Sequence, residues 1–147
     1  KRTNIPIDQK TPMPVSQPTI LVHSKDTIQV LNRSRENKII SSFSYDSGES
    51  WTDLKPLELN NPNSGVDGVT LKNGTHLLVY NPNINGRSKL VLSESDDGIN
   101  WIDKLILEDE ESGEFSYPAI IEASDGLVHI SYTFNRRNIK HVVIEVN

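Results

Sequence analysis

Ser44-Tyr45-Asp46-Ser47-Gly48-Glu49-Ser50-Trp51 reads as Ser-x-Asp-x-Gly-x-x-Trp. It is a polar turn between a strand-like run, Lys38 to Phe43, and a tryptophan. Asp46 can hydrogen-bond the backbone a few residues on, and Gly48 can take the positive φ that a tight turn demands. Trp51 then opens the return strand and folds under the turn as an apolar plug. A second copy, Ser95-Asp96-Asp97-Gly98-Ile99-Asn100-Trp101, puts its tryptophan fifty residues further on. In that copy Asp96, Gly98 and Trp101 are expected to take the three structural places. One such turn is a hairpin; two at this period point to a repeat architecture.

Working outward, three segments can be laid over one another: Gln17 to Leu31, Asp67 to Tyr80, and Tyr117 to Tyr132. Each is an apolar run, a two-residue turn and a second run. Asn73-Gly74 and Asp125-Gly126 are strong hairpin signals, and Lys25-Asp26 holds the same place more weakly. A third strand follows in each: Lys38 to Phe43, Ser88 to Ser93, and Ile139 to Val146. In the first two the Asp-containing turn and Trp lead on to a fourth strand or a linker, Leu54 to Leu59 and Lys104 to Leu107. No segment keeps a helical period. The chain is therefore expected to be all-β. Four antiparallel strands per unit of about fifty residues is the layout of a β-propeller blade. A β-sandwich of a dozen strands fits the length too, but the internal period favours the propeller. The blades are expected at about 17–64, 65–113 and 114–147, behind an extended connector at 1–16. Lys1 to Pro18 hold Pro6, Pro12, Pro14 and Pro18, which argues for such a connector, either a tail or a linker.

Propellers typically close with four to eight blades, and the third unit here ends at its third strand. The expectation is half of a six-bladed ring, completed by a missing N-terminal half or by a second copy. The chain opens at Lys1-Arg2 without Met, as a processed or partial chain would, and no signal peptide is recognisable.

The sequence has 147 residues and a net charge of −5, which gives a nucleic-acid role no electrostatic footprint. It has no cysteine, so a disulfide scaffold and a thiolate metal site are excluded. No apolar run has the length of a membrane span. His23, His76, His129 and His141 are scattered on strands with no carboxylate cluster, so neither metal nor cofactor is expected. Glu108-Asp109-Glu110-Glu111 reads as a solvated loop, and Arg136-Arg137 with Lys140 as a loop tip. The compartment is left open, with a secreted or periplasmic setting ahead of the cytoplasm.

The Ser44–Trp51 turn resembles the Asp-box of sialidases and of BNR-repeat proteins. Further stretches are similar to one bacterial and plant branch of sialidase-like proteins: Gln17-Pro18-Thr19-Ile20-Leu21, Leu31-Asn32-Arg33-Ser34-Arg35, Asn61-Pro62-Asn63-Ser64-Gly65-Val66-Asp67, and Phe115-Ser116-Tyr117-Pro118-Ala119. The resemblance runs from Gln17 to the end. It implies a six-bladed propeller whose site lies at the axis, on the face away from the Asp-boxes. It also implies a glycoside hydrolase acting on exposed sugar residues, or alternatively a non-catalytic propeller that binds carbohydrate or protein. The isolated chain is expected to be inactive.

A sialidase must hold a carboxylate and stabilise an oxocarbenium-like transition state. Arginine suits the carboxylate, being always charged and able to pair bidentately with a planar anion. The family's nucleophile is a tyrosine activated by a glutamate, an exception to the two-carboxylate scheme. A neutral phenol can approach an anionic sugar without like-charge repulsion. The resemblance places that tyrosine at Tyr117, nine residues before Gly126. It places the second arginine at Arg33, seven after Asp26, and the third at Arg87, ahead of Lys89 to Ser93. Arg35 joins them as a substrate contact. The glutamate's place, nine before Asp26, holds Gln17, and an amide cannot deprotonate a phenol. Asp67, at the central end of the second blade, or Glu114 could supply a carboxylate instead. The family's first arginine and acid/base aspartate belong to blades this chain lacks. Each residue has a plainer reading. Arg33, Arg35 and Arg87 suit solvated strand ends and loops, Tyr117 could pack on Pro118, and Asp67 could form a turn.

Overall fold

The computed structural model describes residues 13–146. Most of the connector expected at 1–16, with Pro6 and Pro12, lies outside the described residues. The strands are β1 (Val15–Val22), β2 (Ile28–Ser34), β3 (Lys38–Ser44), β4 (Lys55–Asn60), β5 (Asp67–Thr70), β6 (His76–Tyr80), β7 (Lys89–Ser95), β8 (Ile102–Asp109), β9 (Phe115–Glu122), β10 (Val128–Phe134) and β11 (Asn138–Ile144). The described residues contain no helix. The strands form three antiparallel meanders in the orders β1-β2-β3-β4, β5-β6-β7-β8 and β9-β10-β11. Val15 and Ser16, read as connector, belong to β1. Pro18 is tolerated there because it sits at a bulge between Ser16 and Thr19, where the ladder asks for no donor.

The middle sheet buries both faces, and every residue of β6 is buried. Leu77, Val79, Leu90 and Leu92 pack with Phe115, Ile120, Val128, Ile130 and Tyr132 of the third sheet. Leu78, Tyr80 and Val91 turn the other way, onto Leu21, Leu31, Ile39 and Leu57 of the first. This is the period-two pleat used on both sides. Polar pairs add to the interface between the middle and third sheets. Glu108, 8% exposed, accepts from the Tyr132 hydroxyl at 2.5 Å and pairs with Lys140 Nζ. The acidic run expected as one solvated loop is thus split: Glu108 and Asp109 end β8, and Asp109 pairs with Lys89 at 3.0 Å.

Both Asp-box turns form, with one correction. In the first, Asp46 Oδ1 accepts from Ser50 N–H and Ser44 Oγ, each at 2.8 Å, and Trp51 Nε1 donates to Gly48 O at 3.3 Å. The Ser50 hydroxyl leads the bonds that lower the Asp46 carboxyl to about 2. In the second, Asp97 and not Asp96 does this work, accepting from Ile99 N–H and Asn100 N–H at 2.7 Å. The second turn is one residue shorter. Ser95 Oγ meets Gly98 N–H three residues on, whereas Ser44 Oγ meets Gly48 N–H four residues on. The carboxylate must therefore come from the residue next to the glycine. Trp101 Nε1 donates to Gly98 O at 3.1 Å, as Trp51 does to Gly48.

The meander sorts the turns between two ends. The Asp-boxes share one end with the turns at 23–27, 71–75 and 123–127. The opposite end carries the starts of β1, β5 and β9, the crossover at 61–66, the β6–β7 loop and the β10–β11 turn. Every arginine among the described residues lies at this second end: Arg33, Arg35, Arg87, Arg136 and Arg137. The arginines are thus gathered at one end of a chain whose net charge is −5.

Candidate functional site

Gln17 and Tyr117 begin the story of the site, because both carry left-handed backbone, at φ 47° and 53°. Each precedes a proline, and each sits where its strand loses register: between Ser16 and Thr19 in β1, and opposite the shift between Ser131 and Thr133 in β9. Non-glycine residues hold such φ at a cost of about 1–3 kcal/mol, and such strain gathers at functional positions. The bulge turns the side chain out of the ladder. Tyr117 is 50% exposed as a result.

Between the two lies Gly65. A Cβ there would stand 3.5 Å from Gln17 Oε1 and 3.5 Å from Tyr117 Cδ1. The crossover that delivers Gly65 is locked by buried polar bonds. Ser64 N–H donates to Asn61 Oδ1 at 2.8 Å, and Ser64 Oγ bonds Asn81 Oδ1 at 2.6 Å. Asn81 Nδ2 in turn donates to Phe115 O at 2.9 Å, tying the loop to the start of β9.

Three arginines surround the phenol. The Arg87 guanidinium stands 5.3 Å from the Tyr117 ring centroid. Arg33 is held by Ser16 Oγ and Asn63 O, each at 3.0 Å. Arg136, read from sequence as a loop tip, joins the group through Glu114. Glu114 Oε2 pairs with Arg136 Nε, and Oε1 lies 3.4 Å from Arg87 Nη1 and accepts from Ser116 Oγ at 3.0 Å. Arg136, then Ser116 and Arg87, hold the Glu114 carboxyl below its ordinary range. Arg87 lowers the Tyr117 phenol most, by hydrogen bonding and then by charge, with Arg33 and Arg136 adding to it. Cations thus favour the phenolate at a centre where the neighbouring side chain is an amide.

Residues 6–130 match the family model of the BNR repeat-like domain. The chain belongs to that family. No curated protein sequence matches it. Among solved structures, this BNR repeat-like chain is similar to the intramolecular trans-sialidase from Ruminococcus gnavus in complex with oseltamivir carboxylate. There the TM-score is 0.80 at 18% identity, covering 98% of this chain and 35% of that one. A leech intramolecular trans-sialidase complexed with 2,7-anhydro-Neu5Ac gives 0.78 at 17% identity, covering 97% and 25%. NanB sialidase from Streptococcus pneumoniae gives 0.72 at 17% identity, covering 99% and 25%. At these identities the likeness is one of fold: the three sheets are blades of a sialidase-type β-propeller. The chain spans between a quarter and about a third of the length of these relatives.

The BNR repeat-like fold does not bring every expected residue to one centre. Arg35 lies in the exposed β2–β3 turn. Asp67 has both oxygens engaged between blades. Oδ1 accepts from Thr19 Oγ1 at 2.8 Å and Oδ2 from Ile120 N–H at 2.9 Å. Thr19 Oγ1 also accepts from Gly68 N–H at 3.1 Å. Position 67 is a clamp joining the innermost strands of all three blades. Arg136 and the part played by Glu114 were not readable as a pair, since they lie 22 residues apart. One signal was available. In Phe134-Asn135-Arg136-Arg137 an arginine stands where Asn73-Gly74 and Asp125-Gly126 have glycine.

Proposed function

We propose that this chain supplies part of the axial site of a sialidase-like glycoside hydrolase whose substrate is an exposed sugar bearing a carboxylate. The observation that carries the reading is Arg87 over Tyr117, with Arg33 and Arg136 nearby, at the only end of the sheets where described arginines gather. Guanidinium groups pair with a carboxylate, and a basic cleft raises the local concentration of an anionic ligand. Tyr117 is the group that would face the anomeric carbon. Arginine charge, rather than a carboxylate base at position 17, favours its ionised form. The 2,7-anhydro-Neu5Ac named for the leech relative is a sialic-acid derivative. The remaining blades would come from a further segment or a second copy, seated on the exposed Ile121, Ile139 and Val143 of the third sheet. Hydrolysis of aryl sialosides and a panel of other aryl glycosides by the protein with its remaining blades in place, as wild type and as Tyr117→Phe, tests the reading. Activity unchanged by Tyr117→Phe would overturn the role given to the phenol.

A second reading is a non-catalytic carbohydrate-binding propeller. Gln17 favours it, since an amide cannot accept the phenol's proton. Binding of an anionic sugar without hydrolysis of any member of the panel would select it.

A further inference from the structure

Two Asp-box side chains take no part in holding their turns: Tyr45 in the first and Ile99 in the second. They are 65% and 54% exposed. Both line a cavity of about 260 Å³ between the outer strands of the first blade and the second Asp-box. Phe43, Pro56 and Leu57 complete its apolar lining. Tyr45, Thr52 and Ile99 place it toward the Asp-box end, away from the arginines. Both of its walls belong to blades within this chain, so the cleft does not depend on whatever closes the ring.

The aromatic wall is set in place by the fold. The Phe43 and Tyr45 rings are parallel to within 5°, with centroids 5.9 Å apart. Phe43 also meets the His23 ring, at 5.4 Å between centroids. Its N–H donates to Thr52 Oγ1 at 2.9 Å, and Thr52 N–H donates to Phe43 O at 2.8 Å. On the opposite wall, Asp97 holds Ile99 by its backbone N–H at 2.7 Å. The polar groups of the cleft divide into two sets. Ser41 Oγ and Thr52 Oγ1 are engaged within the fold, the first by Gln29 Nε2 at 2.8 Å. The Tyr45 hydroxyl, the Asp53 carboxylate and the Lys55 ammonium line the same cleft with no partner among the described residues.

We infer that this cleft binds a neutral pyranose, at a site separate from the one at Tyr117. A pyranose carries an apolar face of C–H groups, which packs on aromatic rings, and a rim of hydroxyls that both donate and accept. Phe43 and Tyr45 offer the first a surface, and Tyr45, Asp53 and Lys55 offer the second its partners. One acid and one base leave the rim without net charge, so an anionic sugar gains nothing there. The volume is just below the roughly 300 Å³ at which small-molecule sites begin, which suits one ring rather than a long ligand. The motif's serine, aspartate, glycine and tryptophan hold the turn, and its variable positions carry the recognition.

Saturation-transfer NMR and calorimetric titration test the site, on the protein with its remaining blades in place. The probes are methyl β-glucoside and methyl β-galactoside. At least one is expected to bind, with saturation passing most strongly to the hydrogens of its apolar face. Tyr45→Ala and Asp53→Ala, both at exposed positions, should each weaken that binding about tenfold while circular dichroism stays unchanged. Tyr45→Phe keeps the ring and should keep most of the affinity. Arg87→Ala should leave the affinity for the neutral probe as it is, which separates this cleft from the axial site. Binding of neither probe, binding that survives Tyr45→Ala, or binding lost in Arg87→Ala overturns the inference. Self-association that Tyr45→Ala abolishes, with no sugar bound, would give the cleft to a second copy and overturn it as well.

Discussion

Gln17 and Tyr117 stand in matching bulges of the first and third blades, on either side of Gly65, with φ of 47° and 53°. The fold prepares the same outward-turned position twice and fills it with different chemistry. A charge placed at one should be felt at the other. Gln17→Glu is expected to raise the Tyr117 pKa, because a carboxylate disfavours the phenolate, and Arg87→Ala is expected to raise it too. In wild type the phenol should ionise below its ordinary value near 10. Ultraviolet or NMR titration, with Tyr117→Phe to assign the signal, reads all of these.

The second Asp-box separates two adjacent carboxylates. Asp97→Ala removes an acceptor of two backbone N–H bonds and should destabilise by about 1–2 kcal/mol, as loss of a capping residue does. Asp96→Ala, at an exposed position without those bonds, should stay within about 0.5 kcal/mol. Urea unfolding of the two variants measures the contrast.

Much of the architecture was legible because its causes are local. Asn73-Gly74 and Asp125-Gly126 declare their turns, and the runs around them have the lengths of strands. Asp96 was misassigned because a one-residue difference in turn length is invisible until the serine's bond to Gly98 is seen. The site was less legible, since its bonds join distant residues. Asp67 looked like a free carboxylate, yet its partners lie 48 and 53 residues away in other blades. Arg136 looked like a solvated tip because nothing near it in sequence reveals Glu114.

The first two blades are also joined by a chain of two histidines. Thr70 Oγ1 donates to His76 Nδ1 at 2.9 Å, His76 Nε2–H to His23 Nδ1 at 3.0 Å, and His23 Nε2–H to Gln29 Oε1 at 2.9 Å. The tautomers follow from Gln29, whose Nε2 donates to Ser41 Oγ and Gly98 O, each at 2.8 Å. Burial, then His23, pushes His76 down to about 4, while Asp96 and Asp97 pull the other way. A base whose folded pKa lies below its unfolded value stabilises the fold above that unfolded value. The contribution is lost as pH falls from about 6.5 towards 4. Urea midpoints should drop over that window by an amount on the order of 2–3 kcal/mol, and His76→Gln should flatten the dependence. A wild-type profile that is flat between pH 7 and 4 would contradict this.

Arg136→Gly gives the β10–β11 turn the residue its geometry prefers. It should leave the melting temperature unchanged or slightly raised, since the lost ion pair is exposed and worth under about 1 kcal/mol. It should also weaken binding of a carboxylate-bearing sugar. A variant that is destabilised but binds normally would mark Arg136 as a structural residue instead.

The central claim is that the arginines around Tyr117 hold a sugar carboxylate, and the most direct measurement compares one sugar with and without that charge. N-acetylneuraminic acid and its methyl ester are titrated into wild type and Arg87→Ala. A charged hydrogen bond of about 1.5–3 kcal/mol predicts that wild type prefers the acid by roughly ten- to a hundredfold, and that Arg87→Ala loses most of the preference. Equal affinity of wild type for acid and ester would contradict the account.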